Sequence, residues 1–296
     1  MEKNEIAILD DRGFIQIDGA EAKDFLQNIV TNDIAKITYN SSVFSSILTP
    51  QGKYLYEFFI LKTSDGYLLE CEKDALPEII SIFNFYKLRT KVNLIDSSQK
   101  YYSMAISLEK FKEIDKTQNS KDATLIYKKD LAYIDPRNKD LGAKIVSKIE
   151  NSEIVIKNLN LKKVDKNKYY QKSFNLGIPQ KNLGRLKDKI FGLENNLDEL
   201  GAIDFKKGCY VGQENTSRIK LRNKLRRRIL PIHVTSGKIY ENDIIKYKDN
   251  EIGKVMIDKP FPFALVKLVQ PDLKDFIDIE IKCGKAIIKI IKPKWI

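Results

Sequence analysis

The chain has 296 residues, 43% of them hydrophobic and 31% charged, which is enough apolar material for a sizeable core and more than one packed unit. Its three cysteines lie far apart and its only histidine is His233, which argues against a disulfide framework, a zinc site built from protein ligands and a Ser-His-Asp arrangement. The formal net charge of +12 favours an anionic partner, but lysine is spread along the whole chain, so the distribution of charge matters more than its total.

In chain order, MEKNEIAILDDRGF carries acids where a secretory signal has a basic end, and no later run is apolar for long enough to span a bilayer. The expectation is a cytoplasmic protein with no membrane partner. GFIQI reads as a strand that turns at Asp18-Gly19 into a helix, on which Ala22, Phe25, Leu26, Ile29 and Val30 recur at helical spacing. SVFSSILT and KYLYEFFILK are strands joined by Pro50-Gln51-Gly52 into a hairpin. YLLECE leads into a helix from about Leu76 to Leu88, and KVNLID is the next strand. Strands and helices interleaved in this order predict an α+β domain over 1–98 with an antiparallel or mixed sheet.

A second α+β segment, 99–220, contains the strands YYSMAISL, ATLIYK and LAYIDP, with a polar surface excursion around Glu109 to Asp122 and a turn at Asp135-Pro136-Arg137. The basic run from Lys220 to Arg228 reads as a further strand. After it only short strands remain, ILPIHV, DIIKYK, IGKVMI, FALVKLV and AIIKIIK, separated by Gly and Pro turns, so 221–296 reads as a small β-barrel or sandwich. His233 falls on one of these strands. Cys71 and Cys283 sit in strand-like settings where burial is the default, and Trp295 with the aromatics of FPFALV reads as core.

The window with chemistry in it is Lys206-Lys207-Gly208-Cys209-Tyr210-Val211-Gly212-Gln213-Glu214. Cys209 lies between two glycines, which allow a tight turn and close approach of a ligand. Lys206, Lys207 and Arg218 favour the thiolate, the form that attacks or binds metal. On the residues alone, a reactive thiol and a small residue tucked under a turn stand about even.

KGCYVGQE resembles the signature of the YgfZ family, a branch of the folate-binding aminomethyltransferase-like proteins that includes a mitochondrial iron–sulfur assembly factor. The likeness extends to Leu176-Gly177-Ile178-Pro179, to Glu194-Asn195-Asn196-Leu197-Asp198, to Arg226-Arg227-Arg228 and to DFLQNIVTNDI, LTPQGKYLYEFFI and YKLRTKVNLID in the N-terminal half. It implies a fold shared with the glycine-cleavage T-protein, with two ferredoxin-like α+β units around a central folate cleft and a C-terminal small β-barrel. It also implies work in the assembly or repair of iron–sulfur proteins, including those that modify tRNA, rather than conventional enzyme activity. The functional cysteine carries over to Cys209, in transient contact with a cluster and with no resident metal. Tetrahydrofolate, polyglutamylated in cells, is assigned to Tyr56, Glu57, Lys207, Gly208, Tyr210, Gly212, Gln213, Glu214, Arg226 and Arg228. Gln213 and Glu214 are equally suited to anchoring the Cys209 loop. The implied partners are folate and iron–sulfur client or assembly proteins.

Two other readings compete. A true aminomethyltransferase carries Gly-Gly-x-x-Asp-Asp, whose carboxylate steadies charge near the folate nitrogen. Here the strand reads Gly52-Lys53-Tyr54-Leu55-Tyr56-Glu57, with Tyr56 replacing one acid, and Asn175 stands near where T-proteins hold a glutamate. An RNA-binding module is suggested by six basic residues among the nine from Lys220 to Arg228. No RNA motif with stacking aromatics accompanies the run, and a folate polyglutamate tail is the preferred anion for it.

Overall fold

Two short apolar runs separated by Asp10-Asp11 begin the fold, β1 (Glu5–Leu9) and β2 (Arg12–Asp18); the first is a strand absent from the elements expected above. In this computed structural model, which describes residues 1–114 and 123–296, the chain continues through α1 (Ala22–Ile29), β3 (Val43–Leu48), β4 (Tyr54–Thr63), β5 (Gly66–Glu72), α2 (Leu76–Lys87) and β6 (Asn93–Asp96). Then come β7 (Tyr101–Ile106), α3 (Leu108–Ile114), β8 (Thr124–Tyr127), β9 (Asp130–Ile134), β10 (Ala143–Lys148), α4 (Ser152–Asn158), β11 (Lys162–Val164) and α5 (Lys166–Asn175). The last part holds α6 (Gln213–Leu221), β12 (Arg227–Ser236), β13 (Ile244–Tyr247), β14 (Asn250–Ile257), β15 (Phe263–Lys267), β16 (Ile281–Cys283) and β17 (Ala286–Ile290).

The strands form three sheets. One has the order β3-β4-β5-β2-β6, a second β11-β1-β7-β10-β9-β8, and the third is a closed barrel, β12-β15-β14-β13-β16-β17. The second sheet is mixed, since β11 runs parallel to β1 while β7 runs antiparallel to it. The α+β class and the C-terminal barrel therefore hold. Closure leaves the barrel without a free edge and wraps it around Leu230, Ile232, Val255, Val266 and Ile288. The turn Pro50-Gln51-Gly52 does join adjacent strands, with Gly52 at φ +81°.

The chain divides into two compact units. One comprises Met1–Ile47, Tyr56–Tyr169 and Leu200–Val211; the other comprises Leu48–Leu55, Tyr170–Glu199 and Gly212–Ile296. In the first unit, Phe83 of α2 packs edge-on to Phe25 of α1 and Phe58 of β4, with ring centroids 5.9 Å apart in each case. The stripe Ala22, Phe25, Leu26 and Ile29 is buried as its spacing predicts.

Two local readings need correction. The stretch from Glu109 begins inside α3, where Phe111 is fully buried in the core of the six-stranded sheet, so its first residues are packed helix; positions 115–122 of that stretch lie outside the described residues. The run from Lys220 to Arg228 is not one strand. It starts on the last turn of α6, crosses a connection and enters β12 only at Arg227.

Candidate functional site

The residues assigned to the site from sequence divide between the units. Tyr56, Glu57, Lys207, Gly208, Cys209 and Tyr210 fall in the first, and Gly212, Gln213, Glu214, Arg226 and Arg228 in the second.

The segment that carries Cys209 is tied down by its predecessors. Thr31 Oγ1 donates to Ala202 O at 2.7 Å, Asn32 Nδ2 to Gly201 O at 2.9 Å, and Asp204 N to Thr31 O at 3.0 Å. Lys207 then turns inward, and its ammonium donates to the carbonyls of Gln27, Val30 and Asn32 at 2.7, 2.6 and 2.8 Å. These groups lie at and just beyond the C-terminal end of α1, where orphan carbonyls and the helix dipole favour a cation. Three N–H bonds meet three acceptors, so the charge is fully hydrogen-bonded. Burial nevertheless pushes the Lys207 amine down to about 8, with Asp33 and Asp204 opposing the shift. The expectation that Lys207 promotes the thiolate is thus corrected, because its ammonium is committed to backbone carbonyls on the inner side of the loop.

Two residues further on, Cys209 is exposed, and its thiol has no partner among the described residues. Cys71 and Cys283 are both buried, with thiols raised to about 12 by burial first of all. One cysteine of the three is therefore free to meet solvent and partners. Tyr210 closes the segment with its ring 5.2 Å from Lys207 Nζ and its hydroxyl buried without a hydrogen-bond partner among the described residues. The two glycines around Cys209 are not equivalent. Gly208 has open space where a Cβ would stand, whereas Gly212 has φ +85° and a Cβ there would lie 2.5 Å from Thr49 O. Only the second position demands glycine.

Replacing Lys207 with Ala should cost about 1–3 kcal/mol, since three buried carbonyls lose their donor. Hydrogen exchange of the amides from Ile203 to Val211 should accelerate in the same variant; exchange equal to wild type would show that the lysine does not anchor the loop.

On β4 neighbouring side chains alternate between faces, so Tyr56 and Glu57 diverge. Tyr56 is buried toward α2, and its hydroxyl is raised by burial and by a hydrogen bond with Glu78. Glu57 faces the other way, the face of Phe59, near Arg137. Arg137 grips Asp135 through Nε at 3.0 Å and Nη2 at 2.7 Å and lies over the Phe44 and Phe59 rings, 5.2 and 4.7 Å from their centroids. Burial opposes its charge, but Asp135, with a contribution from Glu57, raises the guanidinium above its ordinary value. Asp135-Pro136-Arg137 is therefore a buried bidentate ion pair.

The same inter-sheet space holds a cluster that sequence reading does not find. Glu70 accepts from Lys144 Nζ at 2.7 Å, Arg12 Nε at 3.0 Å and the Tyr133 hydroxyl at 2.6 Å. All four are buried. Burial alone raises the carboxyl, but the charges of Lys144 and Arg12 and the hydrogen bonds outweigh it and hold Glu70 at about 2. The only signal in the chain is a charge between apolar neighbours within a strand, Glu70 between Leu69 and Cys71 and Lys144 between Ala143 and Ile145.

In the second unit, Gly212 begins α6 in a left-handed conformation, Gln213 is half-exposed and Glu214 is exposed. The arginines of the basic run meet acids of the Glu194–Asp198 element and its neighbour. Arg227 Nε donates to Glu194 at 2.8 Å, Arg228 pairs with Glu199 and reaches Asn196 Oδ1 at 3.0 Å, and Lys220 pairs with Asp198. Three of the six cations thus have internal partners. Elsewhere in this unit His233 stacks on Phe174, with centroids 5.2 Å apart, and Trp295 Nε1 donates to Leu176 O at 2.6 Å.

This architecture is that of the glycine-cleavage aminomethyltransferases. The crystal structure of aminomethyltransferase T from Bartonella henselae matches with a TM-score of 0.75, over 99% of this chain and 86% of that one, at 12% identity, a level that carries the fold alone. In sequence the chain is similar to the mitochondrial iron–sulfur cluster assembly factor IBA57: it is 29% identical to the Neurospora crassa homologue over 97% of its own length and 66% of the relative's. The Mus musculus protein is 23% identical over 76% of this chain and 64% of its own length, and the Mycosarcoma maydis homologue 30% identical over 75% and 55%. The chain thus spans between about half and two thirds of the length of these relatives. No family model matches. The cytoplasmic expectation is overturned, because these relatives are mitochondrial proteins and point to the mitochondrion.

Proposed function

We propose that the chain is an iron–sulfur cluster assembly factor that acts through the Cys209 thiol, binds tetrahydrofolate, and affects tRNA modification through the iron–sulfur proteins it maintains. The observation that carries the reading is the placement of Cys209. It is the one exposed cysteine, and it stands two residues after Lys207, which is locked to the end of α1. A thiol held on a fixed loop can join a soft metal centre or exchange with another thiol without first ordering the chain. Similarity to IBA57 supplies the biological setting, and with it partners among iron–sulfur client or assembly proteins.

Tetrahydrofolate is the small-molecule half of the proposal. The Tyr210 hydroxyl, buried and without a partner among the described residues, supports a polar ligand near the loop. The aminomethyltransferase alternative is weaker, because Tyr56 is held to α2 and Glu57 lies by Arg137, so this strand does not present a free acid pair. The RNA alternative loses half of its cations to internal acids.

Expression of the chain in mitochondria lacking their own assembly factor should restore iron–sulfur enzyme activity, and failure to do so would overturn the assembly role. Isothermal titration with tetrahydrofolate should give saturable heat. Its absence removes the folate half and leaves the cysteine half standing.

A further inference from the structure

The second unit contains a cavity of about 680 Å³ between one face of α6, the connection that follows it and the end of β15. Four cations line it, Lys224, Arg226, Arg227 and Lys267, with the single carboxylate of Glu194; among the described residues Lys224, Arg226 and Lys267 have no carboxylate partner, although Lys267 Nζ donates to Glu251 O at 2.7 Å. Lys267 stands directly opposite Arg227 in the β12–β15 pair. Like charges in that position repel, and Glu194 offsets Arg227 alone, at 2.8 Å. An uncompensated group of this kind is ready for an anion.

Besides Asn215, Gln270 and the Arg227–Glu194 pair, the lining is apolar: Phe191, Ile219 and Leu225 are half-buried, and Val269 is 52% exposed. That floor decides between anions. A phosphate backbone or an oligoglutamate would satisfy the cations and leave the apolar side chains in water. A segment that combines carboxylates with a bulky hydrocarbon side chain covers both. The volume suits a few residues of extended chain, and the exposed Gln270 amide at the rim can donate to and accept from a main chain.

We infer that this cavity is a docking site for an acidic segment of a partner protein, carrying a large aliphatic or aromatic side chain that seats on Phe191, Ile219, Leu225 and Val269 while its carboxylates meet Lys224, Arg226 and Lys267. The site does not involve the thiol; it takes Arg226, which the resemblance assigns to folate, as a peptide contact, and the oligoglutamate arm of the test below separates this inference from the folate proposal.

The probe is a short fluorescein-labelled peptide with one Leu among Glu and Asp residues, followed by anisotropy on the full chain. Arg226→Glu and Lys224→Glu should each weaken binding roughly tenfold or more, because each reverses a charge that pairs with the ligand. Val269→Ser, and Leu→Ser in the peptide, should each weaken it severalfold. All three substituted positions are surface-facing, and unchanged circular dichroism confirms that the variants fold. Cys209→Ser should bind as wild type does. The inference is overturned if the peptide does not bind, if Arg226→Glu binds equally well, or if oligoglutamate or a single-stranded RNA of equal charge binds as tightly, since the last result would define a plain polyanion groove.

Discussion

Cells that lack their own assembly factor and express the Cys209→Ser variant are expected to show no restored iron–sulfur enzyme activity, while the variant itself stays within roughly 0.5 kcal/mol of wild-type stability. The two halves of this expectation have separate physical causes. Stability is preserved because Cys209 is exposed and its thiol makes no hydrogen bond among the described residues, so a hydroxyl of nearly the same size disturbs nothing. Function is lost because a serine hydroxyl neither ionises near neutrality nor binds soft metals. Cys71→Ser is the complementary control. It buries a hydroxyl at a fully enclosed position, which should cost about 1–3 kcal/mol, yet rescue should persist wherever the protein still accumulates. Full rescue by Cys209→Ser would refute the role of the thiol, whatever the fate of the folate proposal.

Where local chemistry decides the conformation, the amino-acid sequence is enough to read it. Pro50-Gln51-Gly52 announces its hairpin because proline presets one dihedral and glycine accepts the φ of +81° that Gly52 adopts. The stripe from Ala22 to Ile29 announces α1 through its period. Short strands between Gly and Pro turns announce the C-terminal β unit, although alternation alone does not separate a barrel from a sandwich, since closure depends on which strands meet, not on their pattern. The basic run misleads for a related reason. Its charges suggest an exposed strand, but they answer to acids at Glu194, Asp198 and Glu199, and a pairing between segments some thirty residues apart leaves no mark on either one. In the Cys209 segment the residue types are legible, and the direction of Lys207 is not. A lysine close to a cysteine reads as an activator of the thiol; only the approach of three carbonyls at and beyond the end of α1 shows that it anchors the loop.

The most destabilising single change should be Glu70→Gln, at about 3–5 kcal/mol. Removing that charge strands two cations, Arg12 and Lys144, on strands of different sheets with side chains no more than 5% exposed. Lys144→Met should cost less, because Arg12 and the Tyr133 hydroxyl still hold the carboxylate. Replacing Arg12, Glu70 and Lys144 together by Met, Leu and Met should recover much of the loss, since no buried charge is then left unpaired. The sign of the pH dependence follows from the direction of the shift. Glu70 is held at about 2 in the folded chain against an ordinary 4.5, so between those values the unfolded chain binds the extra proton. Its contribution is complete above 4.5 and is lost as pH falls toward 2. Denaturant titrations across this range should therefore show a steeper acid loss for the wild type than for Glu70→Gln. Parallel curves would mean that the cluster owes its stability to packing rather than to the charge on Glu70.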